Sequence, residues 1–303
     1  SFLSNKRVSK NPFEPKITII IAAHNEEAHI HETIKNKLNL EYPSDKLEII
    51  CVSDGSTDGT DELIKQFVAS GVTLIRQDPR SGKTAALNRA VPIAKGDIIV
   101  FSDANSLYAP DALLRLAENF SDPHVGYVTG KMVYANPDHS IVGDGCTFYM
   151  KYENLMRKYE TSLGSIVGVD GGIDAVRKNL YRPMKPDQLP DLVLPLMVVE
   201  QGYRVVYEPL AVLIEHALNS PDDEYRMRVR VSLRALWALY DLRHLFDIRR
   251  FHLFSWQLFS HKLLRYLAFF FMLVSYLANI FLWYRSIFFR SFFIIQSILY
   301  ACA

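Results

Sequence analysis

The sequence predicts an α/β fold, a mostly parallel sheet with helices on both faces, followed by helices suited first to a membrane surface and then to its interior. Three observations lead there. Short runs of β-branched and aromatic residues alternate with segments of helical periodicity in the order β, α, β, α, β, α, β, the pattern of a parallel sheet covered on both sides. Each of those runs ends in a polar cluster. Further on, Tyr266 to Tyr284 is 19 residues without a charge, bordered by Arg265 and Arg285, long enough to span a bilayer as a helix.

Lys16 to Ala23 (KITIIIAA) is unbroken and apolar, too short for an average helix and typical of a central strand buried on both faces. Ile30, Ile34 and Leu38 then recur at helical spacing up to a stop at Tyr42-Pro43. A second strand, Leu47 to Ser53, runs into Asp54-Gly55-Ser56-Thr57-Asp58-Gly59-Thr60, whose small and capping residues suit a tight turn into the helix of Leu63, Ile64 and Phe67. Val72 to Arg76 is the third strand. Ser81-Gly82-Lys83-Thr84 opens a helix through Ala85, Leu87, Ala90 and Ile93, and Ile98-Ile99-Val100-Phe101 is the fourth strand, ending in Ser102-Asp103-Ala104-Asn105.

In a parallel sheet the strands deliver their following loops to one edge, where open α/β sheets bind ligands. Glu26, Asp54, Lys83 and Asp103 therefore converge on one crevice. Asp103 and Asn105, two residues apart, are either a pair of oxygen ligands for a divalent cation or the makings of a turn or helix cap. Ser81-Gly82-Lys83-Thr84 ends like a phosphate-binding P-loop, but that motif needs a glycine at position 77, where Gln77 stands. A lysine at a helix N-terminus still suits a diphosphate. Asp170 and Asp174 flank Gly171-Gly172, an acceptor-side approach or a plain turn. His216 is a third metal ligand or a polar surface residue.

The chain has 303 residues and is 49% hydrophobic, enough for a sizeable core, and its net charge of +1 gives no reason to expect nucleic acid. Cys51, Cys146 and Cys302 are widely separated and lack metal-ligand spacing, as expected in a reducing compartment without a disulfide framework. A start at Ser1 and an end inside the apolar run Ala301-Cys302-Ala303 are expected of a piece of something longer, and no signal peptide is expected at the start.

The stretches Ala22-Ala23-His24-Asn25-Glu26-Glu27, Ser53-Asp54-Gly55-Ser56-Thr57-Asp58, Gly82-Lys83-Thr84 with Leu87-Asn88, and Ser102-Asp103-Ala104-Asn105 resemble, in this order, the family 2 glycosyltransferases of GT-A fold. The likeness continues through Gly168-Val169-Asp170-Gly171-Gly172 to Asp191 and then Gly202-Tyr203-Arg204-Val205-Val206-Tyr207-Glu208-Pro209. It extends over about residues 16 to 235 and leans toward the membrane-bound cellulose synthase and poly-N-acetylglucosamine synthase-like group. The resemblance implies that Glu26 and Asp54 hold the base and ribose of a nucleotide-diphosphate sugar, most naturally a UDP-sugar. It further implies that Lys83 lies near the base or diphosphate, that Asp103 with Asn105 serves Mg²⁺ or Mn²⁺, and that Asp191 is the general base. The sugar would pass with inversion to a glycan or lipid-linked acceptor, in polysaccharide synthesis. A non-processive polyprenyl-linked sugar transferase and a silent nucleotide-sugar-binding subunit are the alternatives.

Two departures from the family pattern stand out. Asn105 replaces the second Asp usual in the metal motif, and a neutral amide oxygen is a weaker ligand for a hard cation. The Gln-x-x-Arg-Trp signature of the membrane synthases has its nearest match in Met227-Arg228-Val229-Arg230-Val231. Only Arg228 and Arg230 remain there, either to neutralise the leaving diphosphate or as solvated or lipid-facing charges.

From Tyr225 to Leu245 arginines mix with Leu233, Leu236, Trp237 and Tyr240, as in a helix lying on a membrane or packed beneath the sheet domain. Tyr266 to Tyr284 follows as a span, with Trp283 and Tyr284 as its interfacial belt. Ser291 to Ala303 begins a second span, cut short. Arg243, Arg249, Arg250, Lys262 and Arg265 precede the first span, while only Arg285 and Arg290 lie between the two. The positive-inside rule then places the catalytic domain in the cytoplasm, at the inner membrane. The expected divisions are a lead-in over 1–15, the catalytic domain over 16–222, interfacial helices over 223–262 and a membrane region over 263–303.

Overall fold

The computed structural model describes residues 6–135, 141–216 and 221–302. Its centre is an eight-stranded sheet. The strands are β1 (Ile17–Ala23), β2 (Leu47–Asp54), β3 (Val72–Gln77), β4 (Ile98–Asp103), β5 (Leu107–Tyr108), β6 (Val125–Ala135), β7 (Ile173–Arg177) and β8 (Arg204–His216), in the spatial order β3-β2-β1-β4-β7-β6-β8-β5. The first four strands run parallel, as the alternation predicts. The other half is mixed, because β7 runs antiparallel to β4 and β6, and β5 antiparallel to β8, while β6 and β8 are parallel.

β1 is central because it is apolar on both faces. Ile20 joins one hydrophobic core with Ala86, Leu87 and Leu192, while Ile17, Ile19 and Ile21 join the other with Ile30, Ile34 and Leu113. Burying each isoleucine contributes roughly 1.5–3 kcal/mol. Helices α1 (Ile30–Leu38), α2 (Thr60–Lys65) and α4 (Ala112–Glu118) lie over the second core. Helices α3 (Lys83–Ala90), α6 (Pro190–Glu200) and α7 (Pro221–Asp241) cover the first, and α5 (Ile141–Leu163) packs against β6 and β8. Register then fixes the functional edge: Ala23 pairs with Ser53, Ala22 with Asp103, and Asp54 with Gln77. The loops after β1, β2, β3 and β4 are brought side by side.

Beyond α7 the chain forms α8 (Ile248–Phe251), α9 (Leu253–Gln257), a π-helical turn over Leu258–Leu263, α10 (Leu264–Tyr266), α11 (Ala268–Leu282) and α12 (Ile287–Cys302). The expected single span over 266–284 is found as the shorter α11. Among the described residues no single helix is long and apolar enough to cross a membrane; the bent pair Leu253–Tyr266 and Ala268–Leu282, at 59°, passes by length and composition. The bend at Leu267 has neither proline nor glycine to announce it. α11 and α12 pack together through Asn279, whose Nδ2 donates to Gln296 Oε1 at 3.0 Å, and through stacked Tyr276 and Phe293. Their outer surface exposes Phe269, Phe270, Phe281, Ile287 and Phe288.

Candidate active site at the carboxyl edge of the sheet

Each loop at this edge is held by the next. Asn25, at φ 54°, accepts the Thr57 amide on Oδ1 at 2.9 Å, Thr60 Oγ1 accepts the Glu26 amide at 2.9 Å, and Glu27 Oε2 accepts the Gly59 amide at 2.7 Å. These bonds join the loop after β1 to the loop after β2. Glu26 is thereby left half-buried, and burial raises its carboxyl above the ordinary range, with Asp103 and Asp58 adding to the rise and His29 opposing it.

Asp54 points into the next loop. Its Oδ1 accepts from Gln77 Nε2 at 2.6 Å and from the Ser81 amide at 2.7 Å, and its Oδ2 accepts from the Gly82 amide at 2.8 Å. At 4% exposure the carboxylate is committed to organising residues 77–82. Gly82, at φ 92°, then turns the chain into α3, a left-handed conformation that favours glycine.

Lys83, the first residue of α3, forms an ion pair with Asp103 Oδ1, the last residue of β4, each side chain about a third exposed. Burial lowers the ammonium's affinity for its proton, but the Asp103 and Asp191 carboxylates outweigh this and hold it charged, above its ordinary range. α3 is also tied to the chain leading into α6. Thr84 Oγ1 donates to Gln188 O at 2.7 Å, and Asn88 Nδ2 donates to Met184 O at 2.6 Å. Asn88 Oδ1 accepts from Tyr181 Oη at 2.8 Å and the Met184 amide at 3.0 Å. These bonds fix Asp191, in the first turn of α6, relative to Lys83.

Asp191 rests against Gly171. A Cβ at Gly171, where φ is 89°, would fall 3.1 Å from Asp191 Cβ and 3.3 Å from its Oδ2, so the Gly171-Gly172 pair makes room for the acid. Burial raises the Asp191 carboxyl above its ordinary range, Lys83 and Lys262 pull it back, and Asp103 adds to the rise. A base with a raised pKa takes a proton more readily near neutral pH.

The Asp103-Asn105 loop is held from below. Thr33 Oγ1 donates to Ala104 O at 2.6 Å, and the buried Lys37 ammonium donates to Ser106 O at 2.5 Å while lying 3.3 Å from the centre of the Tyr108 ring. The Tyr108 hydroxyl lies between Phe101 O, at 3.0 Å, and Gly172 O, at 2.8 Å. It therefore links the end of β4 to the turn behind Asp191.

Glu215, near the end of β8, is a residue that sequence reasoning missed. Burial pushes its carboxyl up to about 7, the Asp103 charge adds to this, and a hydrogen bond from the Asn105 side chain opposes it. An acid closing the run Val212-Leu213-Ile214 has the same signature as Asp103 after Ile98–Phe101, and that signal was available. An acid raised by burial and by a neighbouring carboxylate, beside a neutral amide oxygen, fits a hard divalent cation. Among the described residues no group of three His, Cys, Asp or Glu side chains forms a complete cage, so a cation here needs oxygens from its substrate. The side chain of His216 lies outside the described residues.

Two expectations are corrected. Asp170 and Asp174 do not line an acceptor surface: Asp170 is ion-paired with Arg157 in the interior, both under a tenth exposed, and Asp174 is buried inside the sheet opposite Phe101 and Thr129. Arg228 and Arg230 are exposed on α7, and Arg230 lies in a hollow lined by residues of that helix, Tyr225, Val229, Leu233 and Arg234, as a surface charge of the helix would.

Residues 18–171 match glycosyl transferase family 2. The beta-monoglucosyldiacylglycerol synthase of Nostoc sp. is 33% identical over 168 residues, which cover 54% of this chain and 36% of that protein. The poly-beta-1,6-N-acetyl-D-glucosamine synthase of Staphylococcus aureus is 31% identical over 203 residues, covering 65% and 48%. The chain thus spans half or less of the length of these curated relatives. Among solved structures, the mannosyltransferase PcManGT of Pyrobaculum calidifontis, in complex with GDP-Man and Mn²⁺, superposes with a TM-score of 0.69 at 23% identity over 97% of this chain and 88% of that one. That likeness shows the fold.

Proposed function

Because the chain belongs to glycosyl transferase family 2, we propose that it is an inverting glycosyltransferase that moves a sugar from a nucleotide-diphosphate sugar, a UDP-sugar by preference, to a glycan or lipid-linked acceptor. The observation that carries this reading is the placement of Asp191 beside the Lys83–Asp103 pair, at the crevice built by the four parallel strand ends. The base and ribose of the donor lie over the loops of Glu26 and Asp54, the latter acting through the 77–82 loop that it organises. Lys83 turns from Asp103 to the diphosphate and meets the charge that develops as it leaves. Asp103 and Asn105, with Glu215 beside them, would hold Mg²⁺ or Mn²⁺, which supplies further positive charge to the leaving group when bound.

Asp191 takes the proton of the acceptor hydroxyl while that oxygen forms its bond to the anomeric carbon. The bond from that carbon to the diphosphate oxygen breaks, and the electron pair leaves with the nucleotide diphosphate. Attack opposite the leaving group inverts the sugar. The exposed apolar surface of α11 and α12 supports a setting at a membrane, with the catalytic domain on the cytoplasmic side and the arginine-bearing α7 at the lipid surface. Incubation of membranes carrying the full-length protein with a panel of labelled nucleotide sugars tests this. Transfer of label to a lipid or polymer is the expected result, and donor turnover with none of the panel refutes it.

A further inference from the structure

The π-helical turn over Leu258–Leu263 is an uncommon geometry, often found at functional sites. It presents His261 and Lys262, and Arg265 follows one turn later, all toward α5. Three acids there are matched. Arg265 forms an ion pair with Glu153, His261 Nδ1 lies 2.9 Å from Glu160 Oε1, and Arg157 is paired with Asp170. Lys262 is not matched. It is 8% exposed, and among the described residues its ammonium forms no ion pair of the kind that holds Arg265, His261 and Arg157. Glu153 and Glu160 act on it without contact; a buried ammonium with no hydrogen-bonded counter-ion is costly, and one that persists beside a binding crevice is suited to an anion arriving from outside.

The position of Lys262 indicates whose anion that is. Its ammonium lies over Gly168, where a Cβ would fall 2.2 Å from Nζ, and Asp191 packs on Gly171 three residues further along the same turn. The carboxylates acting on Lys83 are Asp103, Asp191 and Asp174, whereas the charges acting on Lys262 are Arg265, Glu153, Arg157 and Glu160. Asp191 feels both lysines. Lys83 is tied to Asp103 at the donor end, whereas Lys262 lies over the Gly168–Gly171 turn on which Asp191 packs; a hydroxyl attacking opposite the leaving diphosphate approaches from the side away from Lys83. The chain continues from Lys262 into α11, with Phe269 and Phe270 exposed. We propose that Lys262 binds a phosphate carried by the acceptor, an amphiphile whose hydroxyl lies at Asp191 and whose apolar chain runs onto α11. Lys262 takes no part in bond making.

This assignment rests on the transferase reading for the role of Asp191, but its test is binding without turnover, so the two fail separately. The full chain in detergent, without donor, is titrated with monomeric dihexanoylphosphatidylglycerol and, in parallel, with dihexanoylglycerol, followed by tryptophan fluorescence; Trp256 lies just before the π-helical turn. The phosphate-bearing lipid should bind about tenfold more tightly or better, as expected for a charge-assisted hydrogen bond. Lys262→Met should abolish that preference, and Lys262→Arg should keep it. Inorganic phosphate should compete with the phospholipid and leave the neutral lipid's binding unchanged. If Lys262→Met loses its cooperative melt, Lys262→Gln takes its place. A wild-type protein with no preference, a preference that survives removal of the ammonium, or a failure of phosphate to compete would each overturn the assignment.

Discussion

Replacing Asp54 with alanine tests how the crevice is built. The carboxylate is 4% exposed and accepts three hydrogen bonds of 2.6 to 2.8 Å, two of them from the backbone amides of Ser81 and Gly82. A hydrogen bond to a charged acceptor contributes roughly 1.5–3 kcal/mol. Water entering the vacated space restores part of this, so the local loss is on the order of 3 kcal/mol, about a hundredfold in the opening equilibrium of the loop. Because the same residues launch α3, Lys83 should lose its fixed position. Hydrogen exchange at the Ser81 and Gly82 amides should accelerate by roughly that factor while the amides of β1 keep their protection, and donor affinity should fall with it. Asp54→Asn should be intermediate, since it keeps one acceptor oxygen and turns its amide Nδ2, a donor, toward a backbone donor. Unchanged exchange at Ser81 and Gly82 in Asp54→Ala, with unchanged donor affinity, would refute the organising role.

Asp174 supplies a pH dependence. Burial pushes its carboxyl up to about 7, with Asp170 and Asp191 adding to the rise and Thr129 and Lys83 opposing it. Between its ordinary value of 3.8 and about 7 the folded chain therefore holds a proton that the unfolded chain has released. Stability falls as pH rises through that window and stays low above it, by an amount on the order of a few kcal/mol. Asp174→Asn, neutral throughout, should gain in melting temperature over the wild type from pH 5 to pH 8, and a constant difference would contradict this. Asn105→Asp should lower the Mn²⁺ concentration for half-maximal activity by roughly tenfold in chelator-treated protein, because a carboxylate binds a hard cation better than an amide does; no change would remove Asn105 from the site.

Much of the donor half was legible in the sequence. β1 to β4 announce themselves as β-branched runs buried on both faces, and parallel register carries their trailing residues to one edge whatever the loops do. The direction of the side chains was not legible. Asp54 and Asp103 have similar surroundings in sequence, yet one turns into the 77–82 loop and the other faces Lys83. Asp170 and Asp174 read as surface acids because their partners, Arg157 on α5 and Thr129 on β6, come from distant segments. Glu215 escaped for the same reason, since β8 reaches the site only by pairing with β5 and β6. The length of α11 was misjudged because absence of charge measures apolar extent, while the bend at Leu267 is marked by no proline or glycine.

The central claim is that Asp191 accepts the acceptor's proton. Turnover and donor binding should be measured together in Asp191→Asn, which keeps the shape of the side chain against Gly171 and removes its basicity. Donor affinity should stay within a few-fold of the wild type while turnover falls by about two to four decades, the range of a positioned general base. Near-normal turnover at unchanged donor affinity would contradict the account.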